Sequence, residues 1–202
     1  ETNGLHEALS DIFSILIRKN VSFPEQEQSS ISASSFPNIG GITNAEMNWL
    51  SYYTIDINHD DLPRCGSKPW LSQSIQAAYY NTNAVITGSV TNNYIPSSRY
   101  NIAGVISYWF YLLSMGTSAT TPGYEGIPVT GLGISNAEKI LLAGLERLRK
   151  KAIDDNTTII PTFEDFCKAV RDATEADPEL SQYNSNVCAA FRAVNLCTDC
   201  DS

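Results

Sequence analysis

Glu7 and Asp11 are the first residues whose types and spacing could do chemistry. On a helix, positions four apart stack on one face, so the two carboxylates could hold a cation or orient a ligand, or could form a solvated acidic edge. No base neutralises them from one turn away, since the flanking positions are Asn3 and Ile15. Arg64, between Pro63 and Cys65 in a constrained turn, offers a planar fork for a carbonyl or for a surface ion pair. Five cysteines complete the set: Cys65, Cys167, Cys188, Cys197 and Cys200. Cys197-x-x-Cys200 has the form of half a zinc site, but no second such pair follows, and His6 and His59 are remote in sequence. A disulfide-stapled tail is the favoured reading, with unpaired thiols and a metal knuckle as the alternatives. Cys167 is expected to bond to the tail at Cys197, and one cysteine is left over. Such usage suits a secreted or extracytoplasmic location.

The elements that must position these residues emerge from hydrophobic periodicity. Residues 1–18 read as an amphipathic helix, because Leu5, Ala8, Leu9, Ile12 and Leu16 recur at spacings of three and four. From Asn20 to Ile42 the chain is polar and rich in breakers, and a loop-rich stretch extends over about 20–99. Within it, short helices are expected near Ala45–Tyr52 and Leu71–Tyr79. Ile102–Met115 is an apolar and aromatic run ended by Gly116, which predicts a buried helix, and Thr117–Gly133 reads as a loop. Ser135-Asn-Ala-Glu138 has the capping-box form. Behind it Ile140, Leu141, Leu145 and Leu148 form one stripe, and Arg147, Arg149, Lys150 and Lys151 gather where a helix dipole favours cations. A further helix should start with Thr162 as its cap and bury Phe163, Phe166, Cys167 and Val170. The last, about Ser185–Val194, should bury Val187, Cys188, Phe191 and Val194. The fold class is therefore mainly α, with about five main helices and long irregular loops, in one domain over 1–202 with a disulfide-prone tail at 197–202.

Composition limits the function. The 202 residues carry 13 Lys and Arg against 22 Asp and Glu, a formal charge of −9, so attraction to nucleic acid or an anionic membrane is disfavoured. Hydrophobic residues make up 43% and charged ones 17%, as in a globular protein with a real core. No apolar run reaches the ~18–20 residues a spanning helix needs. Asn20-Val-Ser22 and Asn156-Thr-Thr158 match the glycosylation acceptor pattern. Glu1 as first residue leads us to expect a processed or excised polypeptide.

Five segments carry a family resemblance. Glu1-Thr-Asn-Gly-Leu-His-Glu7-Ala-Leu-Ser-Asp11-Ile-Phe resembles the N-E-x-x-S-D-I-F helix of thermolysin-like zinc metallopeptidases. Arg64-Cys-Gly-Ser67-Lys-Pro69 is similar to that family's R-S-M-S-x-P segment. Gly104–Ser114, Val129–Ile140 and Ala190–Leu196 resemble, in order and spacing, its C-terminal helical domain. The resemblance implies that Glu7 is the third zinc ligand, that Asp11 hydrogen-bonds a zinc-bound histidine, and that Arg64 holds a substrate carbonyl.

The departures are equally specific. The family's other two zinc ligands and its general base come from an upstream H-E-x-x-H helix that this chain does not contain. A catalytic zinc needs three protein ligands and an open position, so no zinc and no peptidase activity are expected of the 202 residues by themselves. In the family an H-x-N-S-G histidine stabilises the oxyanion; here the aligned stretch is Tyr100-Asn-Ile-Ala-Gly104, which puts Tyr100 in its place. Loss of such a donor typically costs ~10²–10³ in rate, unless Arg99 or Tyr100 substitutes. Arg18 stands where a calcium-binding Glu is common, so no double-calcium site is expected, and His6 replaces the usual Asn as an outer or surface group. The expected parent is a secreted zinc endopeptidase acting on peptide or protein substrates, its missing N-terminal half the partner of this chain. The alternative is a non-catalytic binding or assembly module. In an excised domain, the face with Glu7, Leu5 and Leu9 would be bared, allowing a homodimer through it.

Overall fold

The computed structural model describes residues 2–20, 79–80, 85–87, 90–94, 99–119, 121–154 and 161–200. Its architecture is mainly α. Helix α1 spans Thr2–Asn20, a two-stranded hairpin pairs β1 (Val85–Thr87) with β2 (Val90–Tyr94), and α2 (Arg99–Met115), α3 (Ile134–Asp154), α4 (Phe163–Ala176) and α5 (Asn184–Arg192) follow. The strands are antiparallel, with Thr87 opposite Val90 and Val85 opposite Tyr94, and an irregularity between those pairs. The expected helices near Ala45–Tyr52 and Leu71–Tyr79 fall outside the described residues, apart from Tyr79 itself.

α2 is the central element. From Val105 to Leu113 every side chain is buried, so the helix has no solvent face over that stretch and must be covered from several sides. α1 covers one side with Leu5, Ala8, Ile12 and Leu16, each at most 3% exposed. α3 and α5 also pack on α2, and α3 and α4 form a close pair. At the centre the Trp109 ring stacks on Phe191 at 4.7 Å between centroids and meets Phe166 edge-on at 5.2 Å. Helices α2, α4 and α5 thus each contribute one ring to a common contact. Trp109 Nε1 is buried there with no hydrogen-bond partner among the described residues, a cost of about 1–3 kcal/mol that the ring packing has to outweigh. Gly144 lets α3 approach α4, because a Cβ on it would lie 2.9 Å from the Cα of Val170.

Helix ends explain the loops. Gly116, at φ +81°, ends α2 and donates to Leu112 O at 2.8 Å. The returning loop supplies two further donors, Leu132 N–H to Leu113 O and Gly133 N–H to Ser114 O, both at 2.9 Å. Carbonyls that a helix terminus leaves unpaired are in this way satisfied by the 117–133 segment. Thr162 caps α4 as expected: its hydroxyl accepts from the Asp165 amide at 3.1 Å, and Asp165 accepts from the Thr162 amide at 3.0 Å. The expectation for α3 needs correction. Gly133 O accepts the Ala137 amide at 3.1 Å, so the helix already begins at Ile134 and Ser135 lies inside its first turn.

α5 ends in a Schellman arrangement. Leu196 N–H reaches Phe191 O and Asn195 N–H reaches Arg192 O, both at 2.9 Å, with Asn195 at φ +59°. The tail that leaves this turn is bonded twice to the helices. Cys167 of α4 joins Cys197 (Cα–Cα 6.5 Å), and Cys188 of α5 joins Cys200 (Cα–Cα 5.6 Å). The first pairing is the one expected from sequence.

Candidate functional site

α1 places its two carboxylates by packing. At about 100° per residue, Leu5, Ala8, Ile12 and Leu16 define one stripe, and Glu7 and Asp11 fall roughly 145° and 105° around the helix from it. The stripe is locked into the core with α2, so the carboxylates sit on the flank away from α2, one turn apart. Both are half-buried and both have interaction partners. His6 is exposed at the surface, and its carbonyl accepts from Ser10 Oγ at 2.9 Å.

Other expected residues are placed unevenly. Tyr100 belongs to the first turn of α2, the helix on which α1 packs, though its side chain lies outside the described residues. The same holds for Arg99 and, at the end of α1, for Arg18. Arg64 and Cys65 lie outside the described residues altogether. The structure therefore joins Glu7 and Asp11 on one face and sets the backbone of Tyr100 on the adjoining helix. Leu5 corrects the picture of a bared apolar face: it is 1% exposed in the core, and Leu9 packs against that core.

Among the described residues no group of three His, Cys, Asp or Glu side chains converges on one point. Glu7 can supply one oxygen ligand and Asp11 one hydrogen-bond acceptor, which is part of a metal shell and not a whole one. The Cys197-x-x-Cys200 knuckle is ruled out by the disulfides, because metal ligation needs thiolates and both sulfurs are bonded to helix cysteines.

Sequence reasoning missed a cluster of tyrosines. Tyr79 and Tyr108 both donate their hydroxyls to Pro122 O, at 3.0 and 2.7 Å. Tyr79 meets Tyr108 at 6.1 Å and Tyr124 at 5.4 Å between ring centroids. Burial pushes the Tyr79 and Tyr108 hydroxyls above the usual phenol range, with the neighbouring Tyr79 and Tyr111 adding to the effect on Tyr108. They remain protonated donors, which suits a structural staple and not a general base. The Tyr79–Tyr80 segment is also tied to the tail, with the Tyr80 amide on Val194 O at 2.8 Å and Asn195 Nδ2 on Tyr80 O. Only the Gly and Pro content of the 117–133 loop hinted that rings could reach its backbone.

No helix among the described residues is long and apolar enough to cross a membrane. Comparison of the chain with protein-family models and with curated proteins returns no match.

Proposed function

We propose that residues 1–202 are the C-terminal helical domain of a secreted thermolysin-like zinc endopeptidase. The observation that carries this reading is the pairing on α1. Glu7 and Asp11 stand one turn apart on the flank of a helix whose opposite stripe is fixed against α2, the bearer of the Gly104–Ser114 resemblance. A ligand and its neighbour must be held rigidly, and a helix anchored by four buried side chains does so.

In the intact parent Glu7 completes a zinc shell whose other ligands come from a preceding segment, and Asp11 accepts a hydrogen bond from one of those histidines. Arg64 holds the substrate carbonyl. The bound zinc supplies Lewis acidity and a water that ionises near neutral pH. Tyr100 offers a neutral donor where the family has a histidine. That residue, together with Arg18, supports a second reading as a non-catalytic binding or assembly module. The paired disulfides fit export in either case.

The test joins the chain to whatever coding sequence precedes it. An H-E-x-x-H helix there, one zinc per chain by elemental analysis, and loss of that zinc in Glu7→Gln are the expected results. Asp11→Asn should weaken zinc affinity ~10–100-fold. Stoichiometric zinc or casein hydrolysis by residues 1–202 alone would overturn the proposal. An upstream sequence with no such helix would favour the binding module.

A further inference from the structure

The two disulfides meet at a single C-x-x-C segment, and their four cysteines differ in exposure. Cys167, Cys188 and Cys200 are buried, at 0, 7 and 3% exposure, whereas Cys197 is half-buried. Cys197 also stands at φ +45°, on a turn whose next two residues, Thr198 and Asp199, are exposed. Of the four bonded cysteines, Cys197 is thus the residue that solvent, and a small thiolate in it, approaches most closely. Exchange rates depend on access and on which sulfur is attacked. The two bonds also hold different things: Cys167–Cys197 ties the tail to α4, and Cys188–Cys200 ties it to α5.

We propose that the tail is a two-stage redox-sensitive clamp, opened in a fixed order by a small dithiol reductant. In the first stage one thiolate of the dithiol attacks Cys197 Sγ, and the Cys167 thiolate leaves and takes a proton. The second thiol then attacks its own sulfur in the mixed disulfide, releasing Cys197 as a thiolate. The dithiol ends as a cyclic disulfide and two electrons have passed to the protein. In the second stage the Cys197 thiolate attacks Cys200 Sγ, three residues on; the Cys197–Cys200 bond forms and the Cys188 thiolate leaves and is protonated. No further reductant is consumed, since one disulfide replaces another.

After the first stage α5 still carries the tail. After the second, no disulfide joins the tail to either helix, and beyond the Schellman turn from which it leaves α5 the contacts that still oppose its departure include the 3.4 Å contact of Arg171 with Asp199 and the packing of Leu196 and Cys197 on the core. An ion pair with so exposed a carboxylate holds only weakly, since solvent and salt screen it.

The experiment uses the native oxidised chain, with dithiothreitol in graded amounts, a quench with iodoacetamide at successive times and mass mapping of each cysteine. Cys167 and Cys197 should gain a carbamidomethyl group first. At later times Cys197 should lose its label to a Cys197–Cys200 disulfide while Cys188 becomes alkylated. Labelling of Cys188 and Cys200 first, or of all four together, would overturn the order. A tail that never yields Cys197–Cys200 before full reduction would overturn the second stage.

Discussion

Asn195 lends itself to a decisive pair of substitutions, because two separable contributions meet in one side chain. Its backbone is left-handed at φ +59°, and its Nδ2 donates to Tyr80 O, tying the 79–80 segment to the end of α5. Asn195→Ala loses the hydrogen bond, about 1 kcal/mol, and keeps a Cβ in the left-handed region without the polar side chain that lets Asn tolerate it, a cost of about 1–2 kcal/mol. The sum is about 2–3 kcal/mol. Asn195→Gly loses the same bond but, having no Cβ, meets no left-handed strain, and the looser unfolded chain adds only about 0.5 kcal/mol, for a total of about 1.5 kcal/mol. Urea unfolding with both disulfides intact reads the difference directly, as midpoints ordered native, Gly, Ala at a constant slope. Exchange of the Tyr80 amide, which donates to Val194 O, should quicken in both variants. If glycine proves as costly as alanine, the left-handed turn contributes nothing and the Schellman account of this terminus is wrong.

Three further outcomes follow from the same structure. Removing Cys167–Cys197 by a double Ser substitution should cost about 3.5 kcal/mol and removing Cys188–Cys200 about 3 kcal/mol, from their sequence separations of 30 and 12; thermal unfolding under oxidising conditions that ranked them the other way would contradict the loop-entropy ordering. Gly144→Val should lower stability by about 3 kcal/mol, since a Cβ there meets Val170 Cγ2 and Cα with no space to yield; a melting temperature equal to or above that of the parent would show that α3 and α4 can separate freely. The amide and hydroxyl of Thr162 hold Asp165 below the usual carboxylate range. Its stabilising effect is therefore present above the unfolded value near about pH 4 and lost as pH falls through the lower folded value. Asp165→Asn should cost about 1 kcal/mol around pH 7 and almost nothing around pH 2, and a cost independent of pH would refute the cap.

The helices were legible where periodicity and end signals agreed. α4 carried an apolar stripe and a Thr162 cap before a run of acid and aromatic residues, and both the cap and the buried Phe163, Phe166, Cys167 and Val170 are present. α1 and α2 were likewise legible from their apolar spacing and from Gly116. At α3 a second signal competed: Ser135 and Glu138 have the right spacing for a box, but Gly133 is free to take φ +78°, and its carbonyl accepts the Ala137 amide. The hairpin was passed over although Val85-Ile-Thr and Val90-Thr flank Gly88-Ser89, a recognised hairpin signal. The tyrosine staple was illegible for a different reason. Its partners, Tyr79, Tyr108 and Pro122, are brought together only by the path of the loop, and no local pattern encodes a hydroxyl reaching a distant carbonyl.

The same distinction bears on the candidate site. The spacing of Glu7 and Asp11 is a local property and was readable at once, whereas their usefulness depends on the stripe behind them. Leu5, Ala8, Ile12 and Leu16 hold α1 in a single rotation about its axis, because turning it by even one residue, about 100°, would drag a carboxylate toward the core. A carboxylate moved in that way would have to give up solvent or a partner, and desolvating a charge costs far more than repacking the leucines. The buried stripe thus fixes the direction in which the two acids point, through apolar residues on another face of the helix.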